Sequence, residues 1–200
     1  MAGRHSCREV TGRLPRPRPV GHRLVGPPGT PSSVWTPATT PLGVLHAMAV
    51  EGQLVEVLPR VWVAADLVGD PAARAAALVA RLADEGALRP AAPGARPHLP
   101  AGAVVGLAAA AWVHGCPVPP RRVDLLVPLR TGPRGSTARC RLRRVPAPRA
   151  GSCERGGVAV SGPTRTLADL RASADAEDLA VLAWAEEHLT PSSTCQPGAS

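Results

Sequence analysis

The residues best placed to do chemistry are arginines. Arg139, Arg141 and Arg143 alternate along residues 137–145, TARCRLRRV. At the two-residue period of a strand they share one face, while Cys140, Leu142 and Arg144 share the other. Three like charges in a row repel one another unless something anionic compensates them. The stripe therefore predicts a partner surface, either a phosphate backbone or the acidic face of another protein, with an ordinary solvated strand face as the alternative. A fourth arginine, Arg60, follows Leu58-Pro59 between two β-prone runs. It falls at the tip of a predicted hairpin, where it would reach phosphate.

The other reactive side chains assemble less well. The five cysteines, at 7, 116, 140, 153 and 195, contain no CxxC pair. His114 with Cys116 is the nearest approach to a metal-ligand cluster, and two ligands do not hold zinc. No metal and no cofactor are expected. His114 ends an apolar run, where an imidazole would meet the negative end of a helix dipole. Asp124 is the one acidic residue between Glu85 and Glu154, and is expected to offset nearby arginines. Ser161-Gly162 precedes Pro163 at a helix start, so it reads as a cap and not as a nucleophile elbow. There is no P-loop, no dinucleotide glycine pattern after a strand and no His-Glu-x-x-His. The chain has no lysine, so a nuclease core of two acids and a lysine is excluded. These readings point away from an enzyme.

The elements that must position those arginines follow from pattern. Leu42 to Gly52 forms a short helix with Leu42, Leu45 and Ala49 on one side, and Met48 as a further candidate for it. Residues 53–66, QLVEVLPRVWVAAD, then make a two-stranded hairpin. A helix followed by a hairpin is the back half of a winged helix, and a plain hairpin is the simpler alternative. Asp70 to Gly86 reads as a packing helix, with Asp70 as N-cap, Pro71 at its first position and Gly86 at its end. Ala75, Leu78, Val79 and Leu82 give it an apolar face. Ala101 to His114 is apolar all round, which predicts a helix buried between layers. After a proline-rich turn, Val123–Val127 is a mostly buried strand. Residues 131–136 form a turn. A strand at 158–160 leads into a helix over 164–172, and a last helix runs from about Ala174 to Leu189.

Composition and charge set the frame. Two hundred residues with 44% hydrophobic content suit one domain with appendages or two small ones. Phe, Tyr, Ile, Lys and Asn are all absent, so Leu, Val, Ala and four Trp must fill the core. All five missing types have AT-rich codons, and a GC-rich genome explains the preference for arginine without geometry. The net charge of +8 is uneven: residues 99–160 carry ten arginines against two acids, and residues 161–200 two against six. Such asymmetry suggests a polyanion or an acidic partner protein. Residues 1–41 are rich in proline and arginine and read as a disordered basic tail, and residues 190–200 as a polar disordered end. The N-terminus lacks a secretory hydrophobic core, and the longest apolar run, Ala101–Val113, is shorter than the roughly 20 residues a bilayer requires. A cytoplasmic protein with reduced thiols is expected.

Three pieces in order carry a family resemblance: the small-residue run AVVGLAAAAWVHG (103–115), the strands VDLLVP (123–128) and RCRLRRV (139–145), and GGVAVSGPTRTLADL (156–170). Together they resemble the AbiEi-type antitoxins of bacterial abortive-infection (type IV) toxin–antitoxin systems, in their actinobacterial form. The likeness spans about residues 53–189. Its motif residues here are His114, Gly115, Arg165, Thr166 and Asp169, which read as structural. The resemblance implies an α+β protein in two parts. The first, residues 42–66, would be a partial winged helix that binds DNA and regulates transcription. The second, residues 67–189, would be an α+β domain that neutralises a nucleotidyltransferase-like toxin. The first two helices of a complete winged helix would fall near residues 10–45, a stretch broken here by prolines. The alternative is a relic or accessory protein related to the module that precedes Vsr-like endonuclease domains, without nuclease activity.

Overall fold

The computed structural model describes residues 33–88, 97–130 and 137–189. The tail expected over residues 1–32, the polar end expected over 190–200 and the 131–136 turn lie outside the described residues. The fold is mixed α+β, with five α-helices and two sheets among those residues.

The first part is built on strand β1 (Val34–Trp35), helix α1 (Leu42–Val50), and strands β2 (Leu54–Leu58) and β3 (Val61–Ala64). Both partners of β3 are antiparallel to it, giving the order β1-β3-β2. β1 lies inside the stretch read as tail. Its two β-prone residues pair with Val63 and Trp62, so residues 33–41 are structured. The expected helix-then-hairpin arrangement is present. α1 rests on it through Leu45, which packs with Leu54 and Trp62.

Helix α2 (Pro71–Asp84) starts and stops as its sequence dictates. The Asp70 carboxylate accepts from the backbone N–H of Ala72 and Ala73, and Gly86 takes the left-handed φ of +72° just past the last turn. Its apolar face, Ala75, Leu78, Val79 and Leu82, joins one continuous core with Leu58, Val61 and Val63 of the hairpin and with the second sheet. That core crosses the expected boundary between residues 66 and 67.

The second sheet has strands β4 (Val104–Gly106), β5 (Val123–Pro128), β6 (Cys140–Val145), β7 (Ser152–Arg155) and β8 (Val158–Ser161), in the order β6-β5-β4-β8-β7. β5 pairs with β6 in parallel, and β4 pairs with β8 in parallel. Here the expected helix over 101–114 is corrected. Val104-Val105-Gly106 is the central strand of this sheet, and only Leu107–Val113 forms a helix, α3. The apolar run signalled burial correctly, but short apolar runs do not distinguish a buried strand from a buried helix. The β-branched pair takes the strand. Leu107, at φ +54°, then turns the chain sharply into the helix. Gly106 is needed beside that turn, because a Cβ there would lie 2.9 Å from Cγ of Leu126.

Helices α4 (Pro163–Arg171) and α5 (Ala176–His188) complete the fold. Alanines let α3 serve two cores: Ala109 and Ala110 face the α2 side, and Ala108 and Ala111 meet Leu167, Leu170 and Val181 of α4 and α5. Two arginines of α2 fasten the turn after α3. Arg74 donates to the carbonyls of Trp112 at 2.7 Å and Cys116 at 3.1 Å and lies over the Trp112 ring. Arg81, 2% exposed, donates to the carbonyls of Pro120 and Arg121, both at 2.7 Å. Buried carbonyls in a loop need donors, and hydrogen bonds from a charged group stabilise by about 1.5–3 kcal/mol each. Among the described residues, no helix is long and apolar enough to cross a membrane.

Candidate partner-binding interface

The parallel register of β5 and β6 sets Asp124 beside Arg141 and Leu126 beside Arg143. Arg141 and Arg143 therefore share a face, as the strand period predicts, and Asp124 lies on that same face. Both guanidinium Nε groups donate to one oxygen of Asp124, that of Arg143 at 3.0 Å. The expectation that Asp124 offsets local arginines matches this geometry.

The N-terminal end of α5 closes over the pair. Asp175, its N-cap, accepts from Arg141 Nη1 at 2.9 Å and Arg122 Nη2 at 2.7 Å. Asp178, one turn on, accepts from Arg143 Nη2 at 3.1 Å, from the Ser173 hydroxyl and from the backbone N–H of Ala108 at 3.3 Å. Glu177 accepts from the backbone N–H of Arg121 and of Arg122. Asp124 and Asp178 are 3% and 1% exposed at the side chain, so these charges are satisfied away from water. Hydrogen bonds from Arg122 and Arg141 hold the Asp175 carboxyl down at about 2. Three arginines thus meet three aspartates. The stripe does need an anion, and the chain supplies it from Asp124 of β5 and from its own last helix.

Arg60 and Arg139 are placed differently. Arg60 occupies the hairpin tip at φ +65°, its backbone N–H held by Glu56. Its Nε lies 3.1 Å from Asp84, and its side chain is 62% exposed. Arg139 precedes β6, lies 3.6 Å from Glu85 and is 51% exposed. Asp84 and Glu85 are neighbours at the end of α2, so the fold brings Arg60 and Arg139 to one corner and separates them from Arg141 and Arg143. Exposed ion pairs of this kind contribute about 0–1 kcal/mol, which leaves both guanidinium heads available.

The motif residues bind elements to each other. His114, at the end of α3, lies with Nε2 2.6 Å from the Ser161 carbonyl. Burial pushes its pKa below the ordinary value, the carbonyl contact opposes this, and Arg155 lowers it again. From this place at the end of α3 the ring donates Nε2–H to the β8 carbonyl. Gly115 adopts φ +117° beside Trp184. The buried Thr166 hydroxyl donates to the same Ser161 carbonyl at 3.1 Å. Arg165 pairs with Asp169 at 2.9 Å and donates to the carbonyls of Ala147 and Ala150, fixing the turn before β7. Gly162 N–H donates to Gly151 O at 2.7 Å, and a Cβ on Gly162 would lie 2.8 Å from that oxygen.

Among the described residues there is no group of three or more His, Cys, Asp or Glu side chains able to hold a metal ion. Cys116 and Cys140 are free thiols, both buried. Burial, with Asp124 and Glu85 nearby, pushes Cys140 up to about 11.

Sequence reasoning missed Arg122, Ser173, Asp175 and Asp178 as members of the arginine cluster. The acidic run 175–178 beside a strongly basic segment was the available signal. Comparison with protein-family models, with curated proteins and with solved structures finds no match to this chain.

Proposed function

We propose that the chain is a non-enzymatic, antitoxin-like binding protein of the AbiEi kind, whose partner is a nucleotidyltransferase-like toxin. One observation carries the choice of a protein partner over a DNA operator. In a winged helix the helix before the hairpin is the one that reads bases, and here that helix is α1. Its exposed positions are Leu42, Gly43, Val44, His46, Ala47 and Val50. The bidentate contacts that read guanine and adenine come from Arg, Lys, Asn or Gln, and α1 carries none of these. Arg60 and Arg139 can still touch phosphate or acidic side chains, but phosphate contacts alone position a protein without specifying sequence. They are the contact residues of this reading, and Arg141 and Arg143 hold α5 in place.

The test is co-expression with a neighbouring nucleotidyltransferase-like gene product. The chain should restore growth and co-purify with it, and replacing Arg60 and Arg139 together by glutamate should weaken both effects. A gel shift on the upstream region should show only weak, sequence-indifferent binding that vanishes with salt. Tight, sequence-selective binding that survives salt would replace this reading with a transcriptional repressor.

A further inference from the structure

Helix α1 is apolar on both sides. Leu45 is buried against the hairpin, while Leu42 is 43% exposed, Val44 48% and Val50 89%. Gly43, His46 and Ala47 are exposed among them, and the helix contains no charged residue. Apolar surface of this kind is stabilised by removal from water.

The ends of α1 indicate what covers it. Pro41 precedes the helix, no side chain caps its first N–H groups, and its first turn carries no acid. At the other end stands Glu51, a negative charge on the negative pole of the helix, with no basic residue in the last turn to offset it. The N-terminal pole thus lacks an anion, while the C-terminal pole carries one. The same ends are complementary in a two-fold, antiparallel pair, where Glu51 of one copy lies beside the bare N-terminus of the other. Nine residues span about 13.5 Å, so the ends of two such helices coincide when their middles meet. The middle suits close approach. Gly43 and Ala47 are four residues apart on one side, and a Cβ on Gly43 would meet nothing within 4 Å.

We infer that α1 is the contact surface of a symmetric homodimer, packed antiparallel against α1 of a second copy. The inference stands apart from the toxin reading. An isologous pair closes on itself, so it ends at two copies. One nine-residue helix per copy is a short contact beside a standard interface of roughly 800 Å² per partner, so a weak dimer is expected. Two chains of net charge +8 also repel. Salt screens that repulsion and leaves the apolar contact intact, so association strengthens with salt.

Analytical ultracentrifugation of the full chain, over a range of loadings at low and high salt, tests this. The wild type should pass from monomer to dimer as loading rises, and do so earlier at high salt. Val44→Arg with Val50→Arg should weaken dimerisation at least about tenfold, or 1.4 kcal/mol. Both sites are exposed, so the circular dichroism spectrum and melting temperature should not change. Glu51→Arg should weaken it less. Leu179→Arg, on the exposed side of α5, should leave it unchanged. A monomer at every loading, growth past the dimer, or a dimer unaffected by the Val44/Val50 pair would overturn the inference.

Discussion

Two pairs of arginines on this chain look alike in sequence and behave differently in the fold. Arg141 and Arg143 lie in a network with Asp124, Asp175 and Asp178. Arg60 and Arg139 each lean on one carboxylate at the end of α2 and stay more than half exposed. Side-chain type and spacing do not separate the pairs. The difference comes from α5, whose N-terminal acids arrive from more than thirty residues downstream. A basic stripe reads as a binding surface only after the chain's own acids have been placed.

The largest effect expected from disturbing this contrast is at Asp178. Its carboxylate answers Arg143, Ser173 and the Ala108 N–H of α3 at once. Asp178→Ala leaves Arg143 short of a partner and the Ala108 N–H unmet. Breaking a buried ion pair in this way is destabilising by about 3–5 kcal/mol. Urea unfolding should show that loss as a lower midpoint at unchanged slope. A change within about 0.5 kcal/mol, the usual range for a surface site, would mean that α5 is not clasped through these charges.

Much of this fold was legible because its signals are local. The cap and stop residues of α2 lie within one turn of its ends, and the hairpin follows from Leu54–Leu58 and Val61–Ala64 alone. Gly162 with Pro163 marked the start of α4 correctly. What was misread depends on distant partners. Val104-Val105-Gly106 is a strand because β5 and β8 flank it, and nothing inside the apolar run says so. Arg74 and Arg81 are charged positions on a packing helix, yet both reach carbonyls 38 to 42 residues away. For the site, the residues Arg141 and Arg143 were visible and their face was right. Their partners were visible only as an acidic segment, residues 161–200, with no indication that it folds back.

A smaller effect is expected from pH. The Asp175 carboxyl is held at about 2 by Arg122 and Arg141, below its ordinary 3.8. A group lowered in the folded state stabilises fully above its unfolded pKa and loses that contribution as pH falls toward the folded value. The clasp should therefore be intact at neutral pH and weaken between about pH 4 and pH 2. Asp175→Asn should flatten that part of the stability curve and lower the plateau above it. His114 shifts the same way for a different reason: burial lowers its pKa, so protonation of the unfolded chain begins to cost stability below about pH 6.5. The two limbs can be told apart because only the more acidic one should respond to Asp175→Asn.

The smallest effect on stability is expected at the other pair. Arg60 and Arg139 each make one ion pair at the surface, so Arg60→Ala and Arg139→Ala should change the unfolding free energy measured in urea by no more than about 0.5 kcal/mol each. Arg60 also holds a left-handed backbone conformation at the hairpin tip, which glycine adopts without strain. Arg60→Gly removes the same charge while relaxing the turn, so it should be no less stable than Arg60→Ala. If the corner formed by these arginines is a contact surface, both substitutions must weaken partner binding equally, since both delete the same guanidinium. Binding lost in Arg60→Ala and kept in Arg60→Gly would assign the effect to the shape of the hairpin and not to its charge.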